Sequence, residues 1–331
     1  MACTKVTLSI AVGDYDHVRD LTNGRVHVEG VDLVPLQLGV EDIFPRFLAH
    51  REWDVSEMSF GVYTSLVSQG DRSMVAIPVF PSRVFRHGAF YVRADKSVET
   101  PGDLAGRRVG LPEWAQTASV WAKGLLTEEL GVPLRAVRWV QAGVNEAGRT
   151  EKVALALPDG LSLEPVADRS LDEMLLEGDI DAIISARPPK SFQDGSGHIV
   201  RLFSDPVRVE RDYLARTGIF PIMHIVVVRA AVLEHHPWIA CNLVTAFCEA
   251  RDRSVARLSD EMLSTVPLPW PAAAMREAAA LLGEDVWPYG LEGNRTTLET
   301  FLRLAHEQGV AHRLLRPEEL FAAETLSTHA V

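Results

Sequence analysis

The stretch RHGAFYVRADKSVETPGDLAGRRVGLPEWAQTASVWAKGLLTEELG, Arg86–Gly131, decides how the rest of the chain is read. Apolar residues predict a strand over Gly88–Val92 and a short basic strand over Arg107–Gly110. A turn carrying Pro112, Glu113 and Trp114 follows. Val120, Trp121, Leu125 and Leu126 then recur at helical spacing, with Gln116–Thr117 as the start and Gly131 as the stop. The first amides of such a helix have no intrahelical partner and its dipole favours negative charge, so a strand, a sharp turn and a helix start make a seat for a carboxylate. The plainer reading is that Thr117 only caps the helix.

Outward from this unit the chain alternates strands and helices. Lys5–Val12 reads as a buried first strand ending in the polar loop Gly13-Asp14-Tyr15-Asp16-His17. Arg25–Val34 reads as a second strand broken at Gly30, Glu41–His50 as an amphipathic helix, Trp53–Ser59 as a strand entering a polar loop, and Gly61–Gln69 as a helix. Such βαβ order predicts an α/β fold, with ligands at the carboxyl ends of the strands. Further on, Ala136–Gln141 and Asp181–Ser185 read as strands, Ser170–Glu177 as a helix and Asn145–Leu163 as an irregular connection. Met223–Val228 is a strand carrying His224, Glu234–Asp252 a long helix, and Thr296–Glu307 an amphipathic helix over the sheet or a partner subunit.

Composition sets limits on function. The 331 residues are 47% hydrophobic and 24% charged, enough for two domains of ordinary globular type. A net charge of −12 argues against nucleic-acid binding, which needs a basic footprint. The three cysteines, Cys3, Cys241 and Cys248, have no metal-ligand spacing, and the last two read as small apolar residues on one helix face. No apolar run approaches a membrane span, and the N-terminus reads as a first strand without a charged start and cleavage site, so a cytoplasmic location is expected. Phosphate-loop, GxSxG and HExxH motifs are absent. Nothing compels a cofactor. A divalent metal on Asp14, Glu57, Glu113, His87 and His224 stays open without positive support, as does a homo-oligomer.

The run TPGDLAGRRVGLPEWAQTASVWAKGLLTEELGV (Thr100–Val132) is similar to the segment after the first hinge in periplasmic-binding-protein-like (type II) chains. Its neighbours FPSRVFRHGAFYV (Phe80–Val92) and GIFPIMHIVVVRAAVLEHHPWIACNL (Gly218–Leu243) extend the likeness. Together they resemble the 4,5-dihydroxyphthalate decarboxylase family over most of the chain. The resemblance implies a two-lobed fold, each lobe a mixed sheet flanked by helices, joined by two hinge crossings. The first lobe is expected at residues 1–92 and 216–331 and the second at 93–215. It also implies decarboxylation of 4,5-dihydroxyphthalate to protocatechuate and carbon dioxide in the cleft between the lobes.

A carboxylate leaves when the ring carbon bearing it is protonated, so the site needs an acid, cations for carboxylates and a group for the catechol hydroxyls. His87 and His224 are the candidate acids, because imidazole titrates near neutrality. Arg83, Arg86 and Arg187 are expected to hold carboxylates, with Gln116, Thr117 and the helix start assisting. Asp14, Glu57 or Glu113 would orient or deprotonate the hydroxyls, with Tyr15, Ser59 and Trp114 completing the wall. The rival class is a solute-binding or ligand-sensing protein that closes on an aromatic acid without chemistry. A third reading is another cytosolic enzyme on the same scaffold.

Overall fold

The computed structural model describes residues 5–95, 98–263 and 265–326; Cys3 lies outside them. Its strands are β1 (Val6–Ala11), β2 (Val31–Leu36), β3 (Val55–Ser59), β4 (Met74–Arg83), β5 (Phe90–Arg93), β6 (Arg108–Leu111), β7 (Arg138–Gln141), β8 (Leu163–Pro165), β9 (Ala182–Ile184), β10 (Ile199–Arg201) and β11 (Ile222–Arg229). They form two mixed sheets, ordered β2-β1-β3-β11-β4 and β10-β5-β9-β6-β7-β8. In the first, β1 runs parallel to β2 and β3, while β11 returns antiparallel between β3 and β4. β3 is buried at every position, as its place in the middle of a sheet covered on both faces requires.

Two expectations shift. The strand expected over Arg25–Val34 begins only at Val31, because Gly30 takes a left-handed turn (φ 72°) against the Trp238 ring, where a side chain has no room. β5, read from sequence as the end of the first lobe, pairs with β9 and β10 of the second sheet. The chain therefore changes sheets between Arg83 and Phe90 and returns before Ile222. The two crossings touch each other, with the Val84 amide donating to the Pro221 carbonyl at 3.1 Å.

The helix Thr117–Glu128 follows β6 of the second sheet yet packs on the first lobe. Its Trp121 ring lies 5.3 Å from Phe301, which stacks on Phe60 at 4.3 Å. Trp121 Nε1 donates to the Ile222 carbonyl at 2.9 Å, and Leu304 packs over Gly124. The helix Arg295–Glu307, expected over a sheet or a partner, thus covers helices from both sides of the hinge. A core continuous across the hinge results, with a second, smaller cluster around Tyr91, Val140 and Leu175 in the second lobe, and burying aromatic side chains of this size contributes roughly 1.5–3 kcal/mol each.

This packing brings the start of the helix Phe60–Ser68 against that of Thr117–Glu128. The Gly61 amide donates to Thr117 Oγ1 at 2.9 Å, and a Cβ on Gly61 would run into the Ala115 carbonyl. Gly61→Ala is therefore expected to lower stability by about 1–3 kcal/mol in urea titration, as overpacking does. Gly102→Ala, where the nearest atom lies at an ordinary 3.7 Å, should stay within about 0.5 kcal/mol.

Candidate active site

The site grows from Glu57 in the middle of β3. Its side chain is fully buried, and three donors converge on it. The Gly13 amide donates to Oε2 at 2.7 Å, Tyr15 Oη donates to Oε1 at 2.7 Å, and His224 Nδ1 lies 2.5 Å from Oε1. Burial works to raise this carboxyl, but hydrogen bonds from His224 and Tyr15, the His224 charge and the Gly13 amide outweigh it and bring it below the usual range. Burial first, then the Glu57 charge, pushes the Tyr15 phenol far upward, so it stays a donor.

His224 sits opposite Ser59 in the β3–β11 register, diagonal to Glu57 on the same face. The β11–β4 pairing shifts register on either side of it, an irregularity that re-aims a side chain. With Nδ1 engaged by Glu57, Nε2 is the ring nitrogen left for the cavity that His224 lines, and Phe44 holds the ring edge-on at 4.9 Å.

That cavity, of about 420 Å³, lies between the lobes. Phe44, Leu48, Met58 and Val62 form an apolar side. Arg86 reaches it from the hinge and donates through Nε (3.1 Å) and Nη2 (2.7 Å) to the Met223 thioether. No carboxylate pairs with Arg86 among the described residues, and burial pulls its pKa down to about 10. Ser59 Oγ and Thr117 Oγ1 are 3.0 Å apart at the junction of the two helix starts, beside a buried Gln116 Oε1 that has no partner.

The opposite end is built differently. Glu113, 1% exposed, accepts from Arg149 Nε at 2.6 Å and pairs with Lys152 Nζ at 3.1 Å. Across the mouth, Glu41 of the helix Val40–His50 lies 3.2 Å from Arg187 and 3.9 Å from Arg149. A second chamber of about 560 Å³ continues outward past these residues.

Of the residues singled out from sequence, His224, Ser59, Arg86, Glu113, Gln116, Thr117 and Arg187 line the cavity, and Glu57 and Tyr15 stand behind His224. Four others lie elsewhere. Arg83, expected to grip a carboxylate, donates instead to the carbonyls of Phe220 (3.0 Å) and Pro288 (2.7 Å) and to Asn294, stitching the hinge to the C-terminal segment. His87, a candidate acid, is 3% exposed and packs edge-on against Phe203 and Tyr213. Trp114 is buried, its indole donating to the Gln308 carbonyl at 2.8 Å beneath the Lys123 ammonium. Asp14 is exposed on its loop and outside the cavity.

Sequence reasoning missed Arg149, Lys152, Glu41 and Phe44. The first two fall in the irregular connection, where no periodicity marks an inward side; the only hint is the charged run Arg149-Thr150-Glu151-Lys152. Of Asp14, Glu57, Glu113, His87 and His224, only Glu57 and His224 meet. Among the described residues no cluster of three His, Cys, Asp or Glu side chains has the geometry to hold one. Cys241 and Cys248 are half-buried rather than core residues. Among the described residues no helix is long and apolar enough to cross a membrane.

No family model matches the chain. A curated relative from Comamonas testosteroni, "4,5-dihydroxyphthalate decarboxylase", is 39% identical over 329 residues, 99% of this chain and 100% of that one. The chain belongs to the 4,5-dihydroxyphthalate decarboxylase family. A relative of the same name from Pseudomonas putida is 39% identical over 210 residues, 63% of this chain and 81% of its own. Among solved structures, the aliphatic sulphonate-binding protein SsuA from Escherichia coli matches with a TM-score of 0.53 at 14% identity, covering 98% of this chain and 99% of its own. A putative sulfonate-binding protein from Methylobacillus flagellatus gives 0.55 at 13% identity, covering 96% and 92%. At such identities the likeness is one of fold: this decarboxylase-family chain has the two-lobed periplasmic-binding-protein-like architecture.

Burial draws the His87 pKa down to about 4, so the ring is neutral in the folded family member while the unfolded chain takes up a proton near pH 6.5. Its contribution to stability is complete above that value and is lost as pH falls from about 6.5 towards 4. Thermal melts should show His87→Gln losing less stability than the parent between neutral and acid pH. A parallel loss in both proteins would contradict the assignment.

Proposed function

We propose that this chain decarboxylates 4,5-dihydroxyphthalate to protocatechuate and carbon dioxide, with His224 as the acid that protonates the ring carbon. One observation carries the reading: an imidazole held through Nδ1 by the buried Glu57 faces a cavity that also contains an Arg86 guanidinium without a carboxylate partner. A binding site for an acid needs only cations and donors. A carboxylate-oriented imidazole adds a proton at one defined position.

In this reading Arg86, Gln116 and the Ser59–Thr117 helix starts hold the carboxylate that remains in the product. The departing carboxylate lies beside His224 and the apolar residues Phe44 and Met58. Holding the departing group more weakly matters, because charge that stabilised it in the ground state would raise the barrier to its loss. His224 Nε2 delivers its proton to the ring carbon, the carbon–carbon bond breaks, and the electron pair returns to the ring as carbon dioxide leaves. Glu57 accepts a hydrogen bond from Nδ1–H and so fixes the ring with Nε2 towards the substrate for the transfer. One proton is consumed per carbon dioxide released, and His224 regains it from solvent. The cytoplasmic location and the homo-oligomer anticipated from sequence belong to the same reading and are checked by cell fractionation and light scattering.

Incubation of the purified protein with 4,5-dihydroxyphthalate should yield protocatechuate and carbon dioxide in equal amounts. His224→Asn should lower kcat by about 10²–10⁴-fold, and Glu57→Gln should lower it while leaving KM nearly unchanged. Saturable binding by the parent protein with no product would instead identify a solute-binding protein.

A further inference from the structure

The two ends of the cavity differ in what they can recognise. The hinge end presents Arg86, the Gln116 side chain and two helix starts; Glu57 behind it is already occupied by three donors, and Glu210 acts on Arg86 through its charge without forming an ion pair. The mouth end interleaves charges: Glu113 with Arg149 and Lys152, then Glu41 with Arg187 and Arg149. A carboxylate only accepts hydrogen bonds and suits the first end. A catechol both donates and accepts, and when singly ionised it presents one oxyanion beside one hydroxyl, which suits a mixed cluster.

We propose, on the decarboxylase reading above, that Arg149 and Lys152 are catalytic residues that hold the ring oxygen para to the departing carboxylate as an oxyanion. Glu113 fixes both cations and leaves each with further donors, since guanidinium and ammonium carry five and three N–H groups. The segment bearing them is itself pinned. The Glu151 carboxylate accepts from the Trp114 and Ala115 amides, and Lys123 Nζ donates to the Trp114 carbonyl at 2.9 Å. Such donors, preorganised where charge accumulates, need no rearrangement during the reaction.

The electron flow then closes. The hydroxyl para to the departing group gives its proton to water at the mouth and remains as an oxyanion on Arg149 and Lys152. As His224 forms the new carbon–hydrogen bond, this oxygen pushes its electrons into the ring and becomes a carbonyl. When the carbon–carbon bond breaks, the pair returns to the ring, the carbonyl becomes the oxyanion again, and that oxyanion takes back a proton from water. The titratable and charged groups around the two cations are Glu113, Glu41, Arg187, Glu146 and Lys190, with Glu151 and Lys123, whose charged forms burial disfavours, behind the turn and His224 and Arg86 across the cavity.

The probe is 4-nitrocatechol, which does not decarboxylate and changes colour on ionisation. Mixed with the parent protein at a pH below its free ionisation, it should bind with the catecholate spectrum. Lys152→Met and Arg149→Gln should each move that ionisation up by about one to three pH units, with Arg149→Lys partly restoring it. Both variants should lower kcat by about 10²-fold and move the acid limb of its pH profile upward, an effect that loss of a simple anchor would not produce. Arg86→Gln should keep the catecholate spectrum and raise KM for the dicarboxylate. Failure of the probe to bind, uptake only as the neutral catechol, or variants that change KM alone would overturn the assignment. Absence of turnover by the parent protein is a separate result: it would remove the decarboxylase reading on which the assignment rests.

Discussion

A carboxylate sealed inside a sheet is tolerated only if donors replace its water, and Glu57 is such a group. The Gly13 amide and Tyr15 Oη from the loop after β1, and His224 Nδ1 from β11, meet it from two separate parts of the chain. Breaking a buried charged pair by removing one partner typically costs about 3–5 kcal/mol. The end of β1, the middle of β3 and the start of β11 are therefore tied to one another by a single side chain. The same interaction sets the direction of the imidazole, so the stability of the first sheet and the orientation of the His224 ring have one cause.

The cleft is an exception to the rest of a chain whose net charge is −12. Arg86, Arg149, Lys152 and Arg187 line it, and among the described residues only the last three form ion pairs with carboxylates. A buried guanidinium bound to a thioether is costly, because the Met223 sulfur is a weak acceptor that replaces little of the lost hydration. An anionic ligand would repay that cost. Net charge and local potential thus point in opposite directions, and the local one faces the cavity.

The cleft floor is held together by packing that lies outside the cleft. Trp121, Phe301 and Phe60 join the helix Thr117–Glu128 to the first lobe, so the two helix starts that meet at Ser59 and Thr117 are held by a common core. The donors at this end of the cavity are in place without any closure of the lobes. The mouth differs, since Glu41 and Arg187 reach across it from opposite lobes on exposed side chains.

The sequence alone carried the alternation of strands and helices, the two-lobed class, the helix start at Gln116–Thr117 and the presence of His224 and Glu57 on strands at the cleft. These follow from period, turn residues and resemblance, which are local in the chain. It could not separate Arg83 from Arg86, or His87 from His224. Arg83 ends a strand whose side chain turns towards Phe220 and Pro288, whereas Arg86, three residues on, emerges beyond the hinge towards Met223. Nor could it show that Arg149 and Lys152 fold back on Glu113, because an irregular connection has no repeat to reveal its inward side. Side-chain direction at a hinge, and contact between segments about 36 residues apart, are set by the packing of the whole chain. Only the tertiary structure decided them.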